Sequence, residues 1–146
     1  MIDHPLNRPG IANRVARTKA LIPCDALTLL AFIENGNKAI RLYTEMPRVF
    51  PLSGIKDIPQ GPLRDCLTRS LEPQLFQGSE EITAMFWDYK TILENGVQAL
   101  LNIPLTDETG LIGTVNCLFQ HKNIPANVKQ LYAPVYKIWS AGDFTR

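Results

Sequence analysis

No two of the three cysteines, Cys24, Cys66 and Cys117, stand close enough in sequence to make a Cys-x-x-Cys pair, and their number is odd. That spacing excludes a disulfide framework and a zinc knuckle, so free thiols are expected. Histidine is equally sparse: His4 and His121 lie far apart with no pattern such as His-Glu-x-x-His, and no metal site is expected. A Gly-x-x-x-x-Gly-Lys-Ser/Thr phosphate loop and a Gly-x-Ser-x-Gly nucleophile elbow are both missing, which removes the commonest nucleotide hydrolases and esterases. Surplus charge is lacking too. Fifteen Lys and Arg face fourteen Asp and Glu, for a net +1, and the basic residues are scattered. Nucleic acid is therefore excluded as an expected partner, because phosphate binding needs a concentrated cationic surface. The longest apolar stretches, such as Ala26 to Ile33 interrupted by Thr28, fall far short of the roughly 20 residues that span a bilayer. The first residues, Met1-Ile2-Asp3-His4-Pro5, have no basic-then-apolar signal pattern, so a cytoplasmic protein without a membrane partner is expected.

What is present is enough apolar material for one core. Hydrophobic residues make up 45% of 146 and charged residues 20%, a balance that folds rather than stays disordered. The length suits a single domain. Residues 1–10, with Pro5, Pro9 and Gly10, read as a frayed or docking tail, and 11–146 as the domain. From Ile11 to Leu21 the apolar residues Ile11, Ala12, Val15, Ala16, Ala20 and Leu21 recur at helical spacing, and Pro23 ends the helix.

Asp25 to Ile33 is too short and too apolar for a surface helix, and it runs into Asn35-Gly36, a tight-turn pair. A hairpin follows, in which Ala31 faces Ile40 and Leu29 faces Leu42. This places Leu27, Leu29, Ala31, Ile40 and Leu42 on one face and Thr28, Leu30, Phe32, Arg41 and Tyr43 on the other. The stretch from Met46 to Pro62 carries four prolines and two glycines, so it predicts a long connection with little regular structure. A short helix is expected over 63–71 and a short strand over 72–76. A longer helix is expected from an N-cap at Ser79 to about Glu94, stopped by Asn95-Gly96.

The runs 97–105 and 111–119 predict a second hairpin around Thr106–Gly110, with Asn102 near Thr114 and Leu100 near Asn116. Val97, Ala99, Leu101, Ile103, Gly113, Val115 and Cys117 form its other face. A final helix starts at Pro125 with an apolar stripe from Val128 to Trp139, kinked or split at Pro134. The order is helix, hairpin, irregular loop, hairpin, helix. It specifies an α+β domain with helices on an antiparallel sheet.

The stretch Val97-Gln-Ala-Leu-Leu-Asn-Ile-Pro-Leu105, a polar turn, and Gly110-Leu-Ile-Gly-Thr-Val-Asn-Cys-Leu-Phe119 together resemble the signature hairpin of GAF domains. There a strand ending in apolar-Pro-Leu precedes a Gly-x-apolar-Gly-x-apolar strand. Gly61-Pro62-Leu63 with its helix, then Leu71-Glu72-Pro73-Gln74-Leu75, is similar to the family's short helix and brief strand. The resemblance runs from Ile11 to the C-terminus. It implies a GAF-like (PAS/profilin-like) sheet with terminal helices on one face and a small-molecule pocket on the other, roofed by the middle loop and helices. It also implies a homodimer through the terminal helices, although burial of those helices on their own sheet explains the same pattern.

Polar residues in apolar strands are the pocket candidates, since buried polar groups need partners. Thr28, Arg41, Tyr43, Asn102, Thr114 and Asn116 qualify, with a solvated outer strand face as the alternative reading. Phe50 in the long loop and the cluster Met85, Phe86, Trp87 and Tyr89 supply aromatic walls, of which Phe50, Trp87 and Tyr89 join the candidate set. The Asn-Lys-Phe-Asp-Glu type signature of cyclic-nucleotide-binding relatives is missing, and no cysteine adjoins a histidine as in bilin-attaching ones. No cofactor is named by the sequence.

Cys66, just after Gly61-Pro62, resembles a cysteine of the free methionine sulfoxide reductases, enzymes made of a GAF domain alone. That reading makes Cys66 a catalytic thiol, and needs a second cysteine to clear the sulfenic intermediate. The family's cysteine before the apolar-Pro-Leu strand is replaced here by Leu93-Glu94-Asn95-Gly96. The leading expectation is a sensory or regulatory ligand-binding module acting through a partner chain or self-association. A thiol-dependent reductase and a degenerate interaction module are the alternatives.

Overall fold

The computed structural model describes residues 3–52, 54–69 and 71–140. Helix α1 (Ile11–Leu21) leads into strands β1 (Ala26–Ile33) and β2 (Lys38–Thr44), then β3 (Ile55–Asp57) and α2 (Pro62–Arg69). Strand β4 (Gln74–Gln77), helices α3 (Gly78–Met85) and α4 (Tyr89–Glu94), strands β5 (Ala99–Asp107) and β6 (Gly110–Phe119), and helix α5 (Tyr132–Ile138) complete the chain. The strands form one antiparallel six-stranded sheet in the order β3-β2-β1-β6-β5-β4. The two hairpins therefore join edge to edge through β1 and β6. The last six residues of the expected domain, 141–146, lie outside the described residues.

Alternation along the strands sorts side chains into two cores, as a period of two requires. On one face Leu27, Leu29, Ala31, Leu101, Ile103, Val115 and Cys117 pack with Val15 of α1 and with Val135 and Ile138 of α5. On the other, Leu100 and Leu118 pack with Val49, Phe76, Ile82, Phe86 and Ile92 of the middle segment. The sheet is thus covered on both sides. Val97, expected on the helix side, precedes β5 and packs in the second cluster.

The first hairpin keeps its expected register only near the turn. Ala31 pairs with Ile40, but Leu30 pairs with Arg41 and Leu29 with Tyr43, so Leu42 is an extra residue in a β-bulge. The connection is a four-residue loop with Glu34, Asn35 and Gly36 all at positive φ, a conformation that glycine and asparagine adopt with least strain. In the second hairpin Asp107 pairs with Gly110, closing a tighter turn than expected, and a bulge lies between Leu105 and Thr106. Asn102 consequently faces Asn116, not Thr114, and Leu100 faces Leu118. The slip is by two residues, so each side chain keeps its face.

Three further expectations are corrected. The helix over 79–94 is two helices, because Phe86 leaves α3 in an extended conformation and buries against Phe76, rings edge-on at 5.5 Å. The proline-rich connection contains the edge strand β3. The C-terminal helix does not start at Pro125; a 3-10 turn (Val128–Leu131) precedes α5, and Pro134 sits in the first turn of α5, where its missing N–H costs nothing. The tail before α1 docks. Leu6 is buried in the helix-side core, and the ring of His4 bonds the Phe32 carbonyl through Nε2 while Nδ1 accepts the Leu6 N–H.

Asp25 fixes the end of β6 to the start of β1. Its Oδ2 accepts the backbone N–H groups of Gln120, His121 and Lys122 at 2.6, 3.0 and 3.0 Å. Burial pushes its pKa up, but these three donors outweigh that and hold it below the ordinary aspartate value. A native pKa depressed in this way stabilises the fold above the unfolded value and loses that contribution as pH falls through the folded one. With partial exposure discounted, Asp25→Ala is expected to cost about 1 kcal/mol at pH 7. Urea midpoints of the two proteins should converge as pH drops below the ordinary carboxylate range; a constant gap would show that the charge is irrelevant.

Candidate functional site

Between the sheet and the middle segment lies a cavity of about 150 Å³. Its floor is the roof-facing side of β1, β2, β5 and β6, with Leu30, Arg41, Leu100, Asn102, Thr114 and Asn116. Phe50 and Pro51 come from the long connection, Ile58 and Leu63 from its end, and Phe86, Trp87 and Asp88 from the break between α3 and α4. Most of this wall is apolar. Its polar part is a row across neighbouring strands. Thr28 pairs in register with Asn116, and Asn116 with Asn102. Asn102 Nδ2 donates to Asn116 Oδ1 at 2.7 Å, Asn116 Nδ2 donates to Thr28 Oγ1 at 3.1 Å, and Arg41 Nη1 donates to the same Thr28 oxygen at 3.0 Å. Asn116 Nδ2 also reaches Thr114 Oγ1 at 3.3 Å. Thr28, Asn102 and Thr114 are buried, so the solvated-face reading of these positions does not hold.

Arg41 is held from three directions. Its guanidinium lies 4.9 Å over the Phe50 ring, it bonds Thr28, and it feels the charge of Asp88. Burial lowers its pKa to about 10, still cationic at neutral pH. Asp88 shows the converse: burial raises its pKa, opposed by its own backbone N–H and by the positive charges of Arg41 and Lys56.

Of the residues singled out from the sequence, Arg41, Phe50, Trp87, Asn102, Thr114 and Asn116 line this cavity, and Thr28 supports it through two hydrogen bonds. Tyr43 does not. The bulge at Leu42 turns it to the helix side, where its hydroxyl donates to Glu45 Oε2 at 2.8 Å, and burial pushes its pKa up to about 12. Glu45 Oε1 also takes Lys19 Nζ of α1 at 2.9 Å and the Leu27 N–H at 2.9 Å. Tyr89 lines a separate hollow with Pro59, Gly61 and Thr83. Sequence reasoning missed Asp88, because it falls inside the helix expected from Ser79 to about Glu94, on the side away from the apolar stripe.

Cys66 lies on α2 against the roof-side core, whereas Cys24 and Cys117 are buried together on the helix side. Burial pushes the Cys66 thiol pKa up, the opposite of an activated nucleophile. All three cysteines are free. Among the described residues no cluster of His, Cys, Asp and Glu is set to hold a metal, and no helix is long and apolar enough to cross a membrane.

The sequence matches no family model and no curated protein. Its three-dimensional likenesses are extensive. The GAF domain of a two-component sensor histidine kinase from Bacillus halodurans superposes with a TM-score of 0.69 at 12% identity, over 92% of this chain and 90% of that one. The fold is that of a GAF domain. A GAF domain/HD domain protein from Geobacter sulfurreducens gives 0.68 at 14% identity, over 89% and 84%. Free methionine-R-sulfoxide reductase from Neisseria meningitidis, in complex with its substrate, gives 0.63 at 12% identity, over 88% and 72%. This GAF-like domain has the expected arrangement, with terminal helices on one side of the sheet and the roofed cavity on the other.

Proposed function

We propose that this GAF-like domain binds a small molecule in the cavity and serves as a sensory or regulatory module. The observation that carries this reading is a hydrogen-bonded polar row and a cation enclosed with empty space beneath an apolar roof. Purely structural cores avoid such groups, whereas small-molecule sites combine apolar walls with a few polar anchors. The similarity in fold to sensor-kinase GAF domains supports the same reading. A space of about 150 Å³ also argues against a pocket filled entirely by its own side chains. Thiol chemistry has less support, because Cys66 has neither a lowered pKa nor a second cysteine on its side of the sheet.

Ligand would order the connection around Phe50 against the floor and shift the balance between conformers. The output would pass in the cytoplasm to a partner chain, or to a second copy through α1 and α5. Native mass spectrometry of the protein purified from its host tests the reading and counts subunits in one spectrum. The wild type is expected to carry a small-molecule mass increment. Ala39, buried in the cavity wall, is the site for a filling variant: Ala39→Leu should lose the increment while keeping its melting temperature, since the added methylenes enter existing space. A bare wild type that also fails to melt higher in host metabolite extract would remove the binding role.

A further inference from the structure

The cavity wall holds two opposite charges that do not satisfy each other. Arg41 commits one of its five guanidinium donors, to Thr28. Asp88 occupies the N-cap position of α4 yet makes no side-chain cap bond, and its Oδ1 is shut away from solvent with no hydrogen-bond partner. No ion pair joins Arg41 to Asp88, which interact only at longer range. Lys56 and Asp57 stand exposed at the mouth on β3, where water screens them and Asp57 already has Lys38. A carboxylate oxygen shut away from water without a donor is costly, and such groups persist where something supplies the missing hydrogen bond.

Size and charge together narrow what that something is. An apolar protein cavity of about 150 Å³ holds benzene, so a ligand of roughly six to ten non-hydrogen atoms fits. A simple anion would satisfy Arg41 but repel Asp88; a simple cation would do the reverse; a neutral apolar ligand would leave both unpaired. Building on the ligand-binding reading above, we propose that the cavity takes a small zwitterion, its carboxylate on Arg41 and Asn102 and its ammonium on Asp88. Asn102 has one amide proton committed to Asn116, which leaves its second amide proton and its carbonyl for the ligand. Leu30, Phe50 and Phe86 face the short apolar body between the charged ends.

The test is isothermal calorimetry on ligand-stripped protein with three sets of probes. The zwitterions are alanine, valine, leucine and methionine, each with a primary ammonium. The matched 2-hydroxy acids lack the ammonium, and the matched primary amines lack the carboxylate. At least one zwitterion should bind, and its two single-charge analogues should bind about tenfold or more weakly, the usual scale for losing a charge-assisted hydrogen bond. Asp88→Asn should weaken the zwitterion by a similar factor while leaving the 2-hydroxy acid as tight or tighter, because the removed charge repels its carboxylate. Arg41→Gln should do the converse, sparing the amine. The wild-type comparison stands even if a variant fails to fold. Hydroxy acids or amines binding as tightly as the zwitterion would overturn this proposal and leave the cavity as a ligand site. No zwitterion binding also overturns it, and a small-molecule increment in the native spectrum of the host-purified protein would then show that the broader reading survives.

Discussion

Gly113→Ala should lower stability by about 3 kcal/mol, the upper end of what overpacking a filled site costs. A Cβ at this position would clash with the Leu30 carbonyl oxygen and lie 2.5 Å from Leu6 Cδ1. The first contact is backbone, in the β1–β6 pairing that joins the two hairpins, so relief requires the sheet to part at its centre. For a domain of this length the loss corresponds to a fall in Tm of roughly 10 °C. Urea denaturation and a thermal melt measure it directly. Leu6 provides an internal control. In the double variant Leu6→Ala/Gly113→Ala the side-chain clash is gone, and the combined cost should be smaller than the sum of the single ones. A Gly113→Ala protein as stable as the wild type would mean that the sheet is not joined as described.

Trp139→Ala should be at least as damaging, at about 3–5 kcal/mol. The indole is 3% exposed, just beyond α5, and its Nε1–H donates to Thr18 Oγ1 on α1 at 2.8 Å. The Thr18 hydroxyl in turn donates to the Arg14 carbonyl at 2.8 Å. The two terminal helices are therefore pinned by one aromatic body and one short chain of hydrogen bonds. Thr18→Val separates these contributions. It keeps the volume and removes the acceptor, so it should cost about 1–3 kcal/mol, as a buried donor left unsatisfied does. Equilibrium unfolding of both variants gives the two numbers. Equal losses would mean that the hydrogen bond, rather than the packed ring, holds the helices.

Much of this architecture was legible because punctuation and alternation act locally. Pro23, Asn35-Gly36, Asn95-Gly96 and Gly110 mark ends that the structure reproduces to within a few residues. The period of two assigned nearly every strand residue to its correct face, even where the second hairpin was out of register by two. Bulges were not legible. Nothing about Leu42 announces an extra residue, and that single insertion moved Tyr43 from the cavity side to the helix side. The break at Phe86 was equally hidden, since neither proline nor glycine stands there; burial against Phe76 overrides the helical pattern. Asp88 escaped notice for the same reason. On a continuous helix it would face water, and only the break brings it into the cavity wall.

The bulge has one more consequence. In a regular strand Arg41 and Tyr43 would point the same way; here they point to opposite sides of the sheet. Tyr43 grips Glu45, and Glu45 grips Lys19 on α1. Strand β2 thereby ties the cavity floor on one face of the sheet to the N-terminal helix on the other, with Leu42 at the crossing.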